Sequence, residues 1–198
     1  LDPKACAWIA THGPDLTREQ RLALAERVTT SSDIALVACR APDLTPADRL
    51  TLARKCDADD SARLGVKLEE LSVEARLALT SGRYELVERV ICNTSDLTPE
   101  ERIKKAQLYG CEGEVAARGK GLTAAQRIDL VKSVLLKPGT ALLFSYSVEK
   151  LVTAEAVNLT ADQRMELIFS GDYPEWRYTA FACDLPGLRS EQRMMLAR

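Results

Sequence analysis

Seven arginines, Arg21, Arg49, Arg76, Arg102, Arg127, Arg164 and Arg193, follow one another at intervals of 28, 27, 26, 25, 37 and 29 residues. A guanidinium is a planar fork of N–H donors that keeps its charge at any physiological pH, and it binds carboxylate, phosphate or carbonyl oxygen in pairs. Two uses are therefore open: the arginines hold backbone carbonyls, or they form a ladder that meets an anionic partner. Other chemistry is thinly supplied. His12 is the only histidine, so Cys–His or Ser–His–Asp catalysis would have to pass through it, and "THGPD" places it in a surface turn before a helix. "CDADD" at 56–60 lacks the later glycine and glutamate of a calcium loop, so its acids are expected to cap and solvate the next helix. "TSGRY" and "GCEGE" lack a phosphate-loop fingerprint. Asn93-Thr94-Ser95 and Asn158-Leu159-Thr160 match the glycosylation pattern, the second inside a helix-starting motif. The sequence predicts no catalytic residue, no metal site and no cofactor.

The arginines belong to a repeated helix start. Five residues before each stands a leucine: Leu16, Leu44, Leu71, Leu97, Leu122, Leu159 and Leu188. A hydroxyl follows at Thr17, Thr45, Ser72, Thr98, Thr123 and Thr160, with Arg189 the one departure. Gln20, Asp48, Glu101, Gln126 and Gln163, three residues further on, complete or resemble capping boxes, and Pro46 and Pro99 occupy the first helical position. Apolar residues after the arginine continue a helical stripe. Segments such as "SSDIALVACRAPD" and "SGRYELVERVICNTSD" supply a second helix between consecutive starts. A hairpin this short cannot bury its own apolar face, so neighbours must stack. The predicted fold is all-α: one right-handed α-solenoid over 1–198, of about seven two-helix repeats of 25–29 residues. Half-repeats stand at each end, and an insertion lies near 136–147.

The arginine lies on the same side of its helix as the capping hydroxyl and leans back toward the inter-repeat turn. A cation near a helix N-terminus is mildly unfavourable, by about 0.3–1 kcal/mol, so something must compensate. Carbonyls ending the preceding helix are one source. The acids before the leucine, Asp15, Asp43, Glu70 and Asp96, are another, although Gly121, Asn158 and Gly187 replace them in later repeats. If the arginines face outward instead, Arg21, Arg49, Arg76, Arg102, Arg127 and Arg164 are the candidate partner-binding residues. Phe144 and Tyr146 join them as aromatics that the insertion around Lys137, Pro138 and Gly139 would present, unless "TALLFSYSVEKLVTA" is a longer second helix packed into its neighbours.

Among the six cysteines there is no C-x-x-C pair. Cys39, Cys92 and Cys183 stand where other repeats carry Thr11, Val66, Ala117 and Ala154, which predicts free, buried thiols and a cytoplasmic or other reducing compartment. With 27 basic and 29 acidic residues, a net charge of -2 and a pI near 5.6, the chain lacks the broad basic field of a nucleic-acid binder. No apolar run reaches a membrane span. Beginning at Leu1, the chain is expected to be a processed product or a piece of a longer array, with ends that associate because neighbouring repeats would cover them.

The run L-T-P-x-Q-x-x-A-x-A that opens these helices, closely matched by "LTREQRLALA" with Arg18 at the proline position, resembles the opening of the TAL-effector repeat, itself a two-helix solenoid unit. That resemblance implies a nucleic-acid-binding repeat protein. It covers about ten residues per repeat: repeat lengths vary here, "ERVTT", "RKCDA" and "QLYGC" follow the first helix, and no recurrent Gly-Lys phosphate contact occurs. At the level of stacked short hairpins the chain is also similar to HEAT-like repeats. The function expected from the residues is a non-enzymatic scaffold or binding module for a protein or peptide, in which fold alone does not fix the partner.

Overall fold

The computed structural model describes residues 1–136, 141–154 and 158–197, without the side chains of 135, 136 and 141. Among them every regular element is helical. The helices are α1 Pro3–His12, α2 Arg18–Ala25, α3 Ser31–Arg40, α4 Pro46–Lys55, α5 Ala58–Lys67, α6 Val73–Leu79, α7 Tyr84–Asn93, α8 Pro99–Tyr109, α9 Glu112–Arg118, α10 Ala124–Lys132, α11 Ala141–Thr153, α12 Ala161–Ser170, α13 Glu175–Asp184 and α14 Ser190–Leu196. A single 3-10 turn, Ser133–Leu136, follows α10. Of the segment expected as an insertion, Lys137, Pro138 and Gly139 lie outside the described residues. The remainder is largely α11, whose 13 residues make it the longest helix described.

The "LT" signal begins helices for the reason its chemistry suggests. Thr17, Thr45, Thr98, Thr123 and Thr160 are N-caps in closed capping boxes, the threonine hydroxyl accepting from the third helical N–H while that residue's side chain accepts from the threonine N–H. Ser72 supplies the single bond, from Ala75 N. Arg189 cannot accept, and only the return half forms, Arg189 N donating to Gln192 Oε1 at 2.9 Å. Asp57 caps α5 by accepting from Asp59 N and Asp60 N, so the "CDADD" acids do cap a helix. The leucine ahead of the cap is buried at Leu44, Leu71, Leu97, Leu122, Leu159 and Leu188.

The chain forms two compact units, Leu1–Val90 and Ile91–Arg198. In the first, α1 packs on α2, α3 on α4 and α5 on α6, while α1, α3 and α5 pack in succession on one another. In the second, α9 packs on α10, α11 on α12 and α13 on α14, with α9 against α11. Both units also tie the first turns of successive capped helices together. Arg18 grips Asp48 with Nε–Oδ2 at 2.7 Å and Nη2–Oδ1 at 2.6 Å. Gln126 Nε2 donates to Glu100 Oε1 at 3.2 Å, and Gln192 Nε2 to Asp162 Oδ1 at 2.8 Å. Arg18 and the Thr45 cap hold the Asp48 carboxyl far below the usual carboxylate range.

The acids before the leucine are explained by backbone geometry. Asp15 and Asp43 have φ of 54° and 61°, and Gly121 and Gly187 in the matching place have φ of 76° each. Asp and Gly share a position because both tolerate the left-handed turn. One of the acids also pairs with an arginine: Arg49 Nε lies 3.0 Å from Glu70 Oε1, which joins one repeat's arginine to the next repeat's acid.

The α9–α11 contact has no slack: a Cβ on Gly113 would stand 2.6 Å from Ser147 Oγ and 2.9 Å from Ser147 Cα. We expect Gly113→Ala to destabilise the protein by about 1–3 kcal/mol, despite its better helix propensity. Urea unfolding measures the change.

Candidate functional site

Each repeated arginine reaches back from the first turns of its helix to the carbonyls that end the helix before it. Arg21 donates to Ala10 O at 2.7 Å and Gly13 O at 3.0 Å. Arg49 donates to Ala38 O and, at 3.0 Å, to Ala41 O. Arg102 donates to Ile91 O and, at 2.7 Å, to Thr94 O; Arg127 donates to Ala116 O and, at 2.8 Å, to Gly119 O. Arg193 donates to Ala182 O and, at 2.9 Å, to Leu185 O. The acceptors are the residues eleven and eight positions earlier in every one of these cases. Arg76 shifts within the same turn, to Gly65 O at 3.0 Å and Val66 O at 3.2 Å, and Arg164 reaches Val152 O.

The physical logic is that of a helix end. The last carbonyls of a helix lack internal partners and carry the negative pole of its dipole. The arginine supplies donors and positive charge to both deficits, as a C-cap lent by the next helix. Burial follows: Arg21, Arg76, Arg102, Arg127 and Arg164 are buried, Arg102 to 1% exposure, and Arg49 is largely covered. That burial lowers the guanidinium pKa of Arg102, Arg127 and Arg164. Of the two uses left open by the sequence, these side chains serve the carbonyls. The candidate partner-facing ladder is corrected to an interior bracket, since its groups lie under the helices they hold.

The aromatic pair divides. Phe144 is buried within α11, so the expectation that it meets a partner is also corrected, whereas Tyr146 is exposed with Lys150 Nζ 4.3 Å from its ring centre. Lys150 pairs with buried Glu114 on α9, whose other oxygen lies 3.5 Å from Arg118 Nε. His12 is the last residue of α1, its ring stacked on Trp8 at 3.8 Å and Nδ1 2.7 Å from Thr11 Oγ1. Among the described residues no three His, Cys, Asp or Glu side chains gather to hold a metal ion.

All six thiols are free, but their burial is uneven: Cys92 is buried, Cys39 is half-buried and Cys183 is exposed. Cys183 belongs to α13, and the interior reading of its position is corrected. Burial raises the Cys56 thiol to about 11 and pushes Cys39 up as well.

What remains open to solvent are shallow grooves. In the second unit α12, α13 and α14 frame one of about 530 Å³ with Phe169, Trp176, Tyr178 and Met195. In the first, grooves run between α3 and α5 and between α5 and the start of α7. Of these, only the face of the last helix was expected from the sequence to stand uncovered, and Met195 and Leu196 line the first groove. The exposed positions differ from repeat to repeat, so they carry no period to read.

No family model, curated protein or solved structure matches the chain.

Two measurements test this geometry. Arg102→Gln should cost about 1–3 kcal/mol in thermal or urea unfolding, the penalty for buried carbonyls left without donors, and Arg102→Lys should recover only part because an ammonium cannot span two acceptors in a plane. Thiol labelling of the native protein, read by peptide mapping, should modify Cys183 first and Cys39 more slowly, and spare Cys6, Cys92 and Cys111 until the protein unfolds.

Proposed function

We propose that the chain is a non-enzymatic helical-repeat module, a right-handed α-solenoid of about seven two-helix repeats, that binds a protein or peptide and serves as a scaffold in a larger assembly. One observation carries the reading: the interior is the same from repeat to repeat while the exterior is not. The arginine bracket recurs at fixed offsets. At the last residue of the helix ahead of it, the exposed side chain varies among Arg40, Lys67, Asn93 and Arg118. One turn earlier the exposed residue varies among Trp8, Arg63 and Arg89. A stack built this way holds its shape with one set of residues and leaves another set available for recognition, which is how stacked-hairpin proteins present extended binding surfaces. The links between first turns, such as Arg18 with Asp48, support stacking of successive hairpins.

The rest of the reading is consistent with this. The free thiols suit a reducing compartment. No described helix is long and apolar enough to cross a membrane. Exposed Trp176, Met194 and Met195 suit self-association through that face.

Selection of a random-peptide display library on the full chain tests the proposal. We expect enrichment of a recognisable peptide motif. Failure to enrich any peptide, together with retardation of single- or double-stranded oligonucleotides at low salt, would overturn it in favour of a nucleic-acid-binding repeat protein.

A further inference from the structure

The first unit, with 13 basic and 15 acidic residues, is as acidic as the whole chain, yet it gathers several cations around α5. Between α3 and α5 lies a groove of about 230 Å³ with an apolar lining of Ala35, Leu36 and Leu64, edged by exposed Arg40, Arg63 and Lys67. On the other side of α5 a wider groove of about 540 Å³ shares Arg63 and adds Arg83, Tyr84 and Arg89. The acids interspersed with these cations are mostly engaged. Asp59 pairs with Arg83, and Asp60 accepts from Ser31 Oγ at 2.7 Å and lies 3.9 Å from Arg63. Arg40, Lys67 and Arg89 make no ion pair with any described residue.

The pattern on α5 serves the helix only in part, through Asp60 three residues before Arg63. Lys67 at the helix end favours the dipole, but Arg63 stands four residues before it on the same face, and like charges at that spacing destabilise a helix. Arg40 on α3 brings a third cation to the same groove. Asp60 in the same groove offsets Arg63 at 3.9 Å, which leaves two of the three cations for an external anion to meet.

We propose that these two grooves bind an acidic peptide segment of a partner protein, its carboxylates facing Arg40, Arg63, Lys67 and Arg89 and its apolar side chains lying on Ala35, Leu36 and Leu64. The inference rests on the binding-module reading and specifies its partner. A peptide suits the site better than a nucleic acid. Asp59, Asp60 and Glu85 alternate with the cations and would repel an evenly charged phosphate backbone, whereas a peptide can space its acids to avoid them. In the narrower groove the apolar floor has no aromatic for base stacking and fits leucine or isoleucine, and Tyr84 is the one aromatic lining the wider groove.

Fluorescence anisotropy on the full chain decides this, with a fluorescein-labelled synthetic peptide rich in Glu, Asp and Leu, its counterpart with Gln and Asn in place of the acids, and a labelled single-stranded oligonucleotide. We expect the acidic peptide to bind, to weaken with added salt, and to bind at least about tenfold more tightly than the neutral one. The double variant Arg63→Gln/Lys67→Gln should lose about tenfold in affinity with melting unchanged or raised, while Arg54→Gln on α4 changes neither. Half-buried Cys39 lines the groove, so the acidic peptide should also slow its labelling. Equal binding of the neutral peptide, an unaffected double variant, or tighter binding of the oligonucleotide would each overturn the proposal. A display selection that enriches a motif without acidic residues removes this inference and leaves the module reading standing; one that enriches nothing removes both.

Discussion

Everything in the fold depends on how a short helix disposes of its last carbonyls. A helix of about ten residues leaves a large share of its backbone polar groups without internal partners, and packing helices end to turn buries those groups where water cannot serve them. Here the next helix supplies an arginine. Donors spaced like a fork meet carbonyls three residues apart, as Arg102 does with Ile91 and Thr94, and the cation sits on the negative pole of the helix it caps. The same side chain therefore satisfies the end of one helix and fixes the angle at which the next one leaves. Because the contact is to backbone, the residues at its acceptor positions are free to change: Ala10, Ala38, Ile91, Ala116 and Ala182 all serve.

A buried cation without a carboxylate is usually costly, and the structure shows why this one is tolerated. The guanidinium spreads its charge over a plane, is weakly hydrated to begin with, and keeps its proton even when burial lowers its pKa, as it does for Arg102, Arg127 and Arg164. A lysine at the same site would shed its proton more readily and bring a hydration shell that the carbonyls do not replace. The Nε of Arg21 and of Arg102 is left without a hydrogen-bond partner, so the bracket is fitted to two carbonyls and not to full use of the fork.

What the sequence made legible follows from the same division. Helix starts were readable because a cap needs particular atoms at particular offsets, and all five expected boxes close, from Thr17 with Gln20 to Thr160 with Gln163. The arginine's recurrence was readable, and so was one of its two possible targets, because a helical side chain leaning toward the N-terminus reaches the carbonyls that end the helix before it; which carbonyls it takes was not, since backbone has no residue type to recognise. The position before the leucine misled for a related reason. Asp15, Asp43, Gly121 and Gly187 look like a charge that fades along the chain, and only their shared positive φ reveals a turn that either residue can make. Cys183 shows the limit of reading by analogy between repeats: a small residue fits that place in the other repeats, yet α13 leaves it exposed.

The grooves around α5 were invisible in the sequence because nothing about them repeats, and that is the functional point. A position fixed by folding must satisfy the same backbone in every hairpin, so it converges on one solution. A position that only faces solvent is held by nothing internal, and it accumulates whatever the outside selects. Arg63 beside Lys67 is a choice that costs α5 a few tenths of a kcal/mol by itself, and no described neighbour recovers it within Lys67's reach. In a chain whose interior sets its arginines so consistently on carbonyls, the cations gathered outside, such as Arg40, Lys67 and Arg89, answer to no such internal demand.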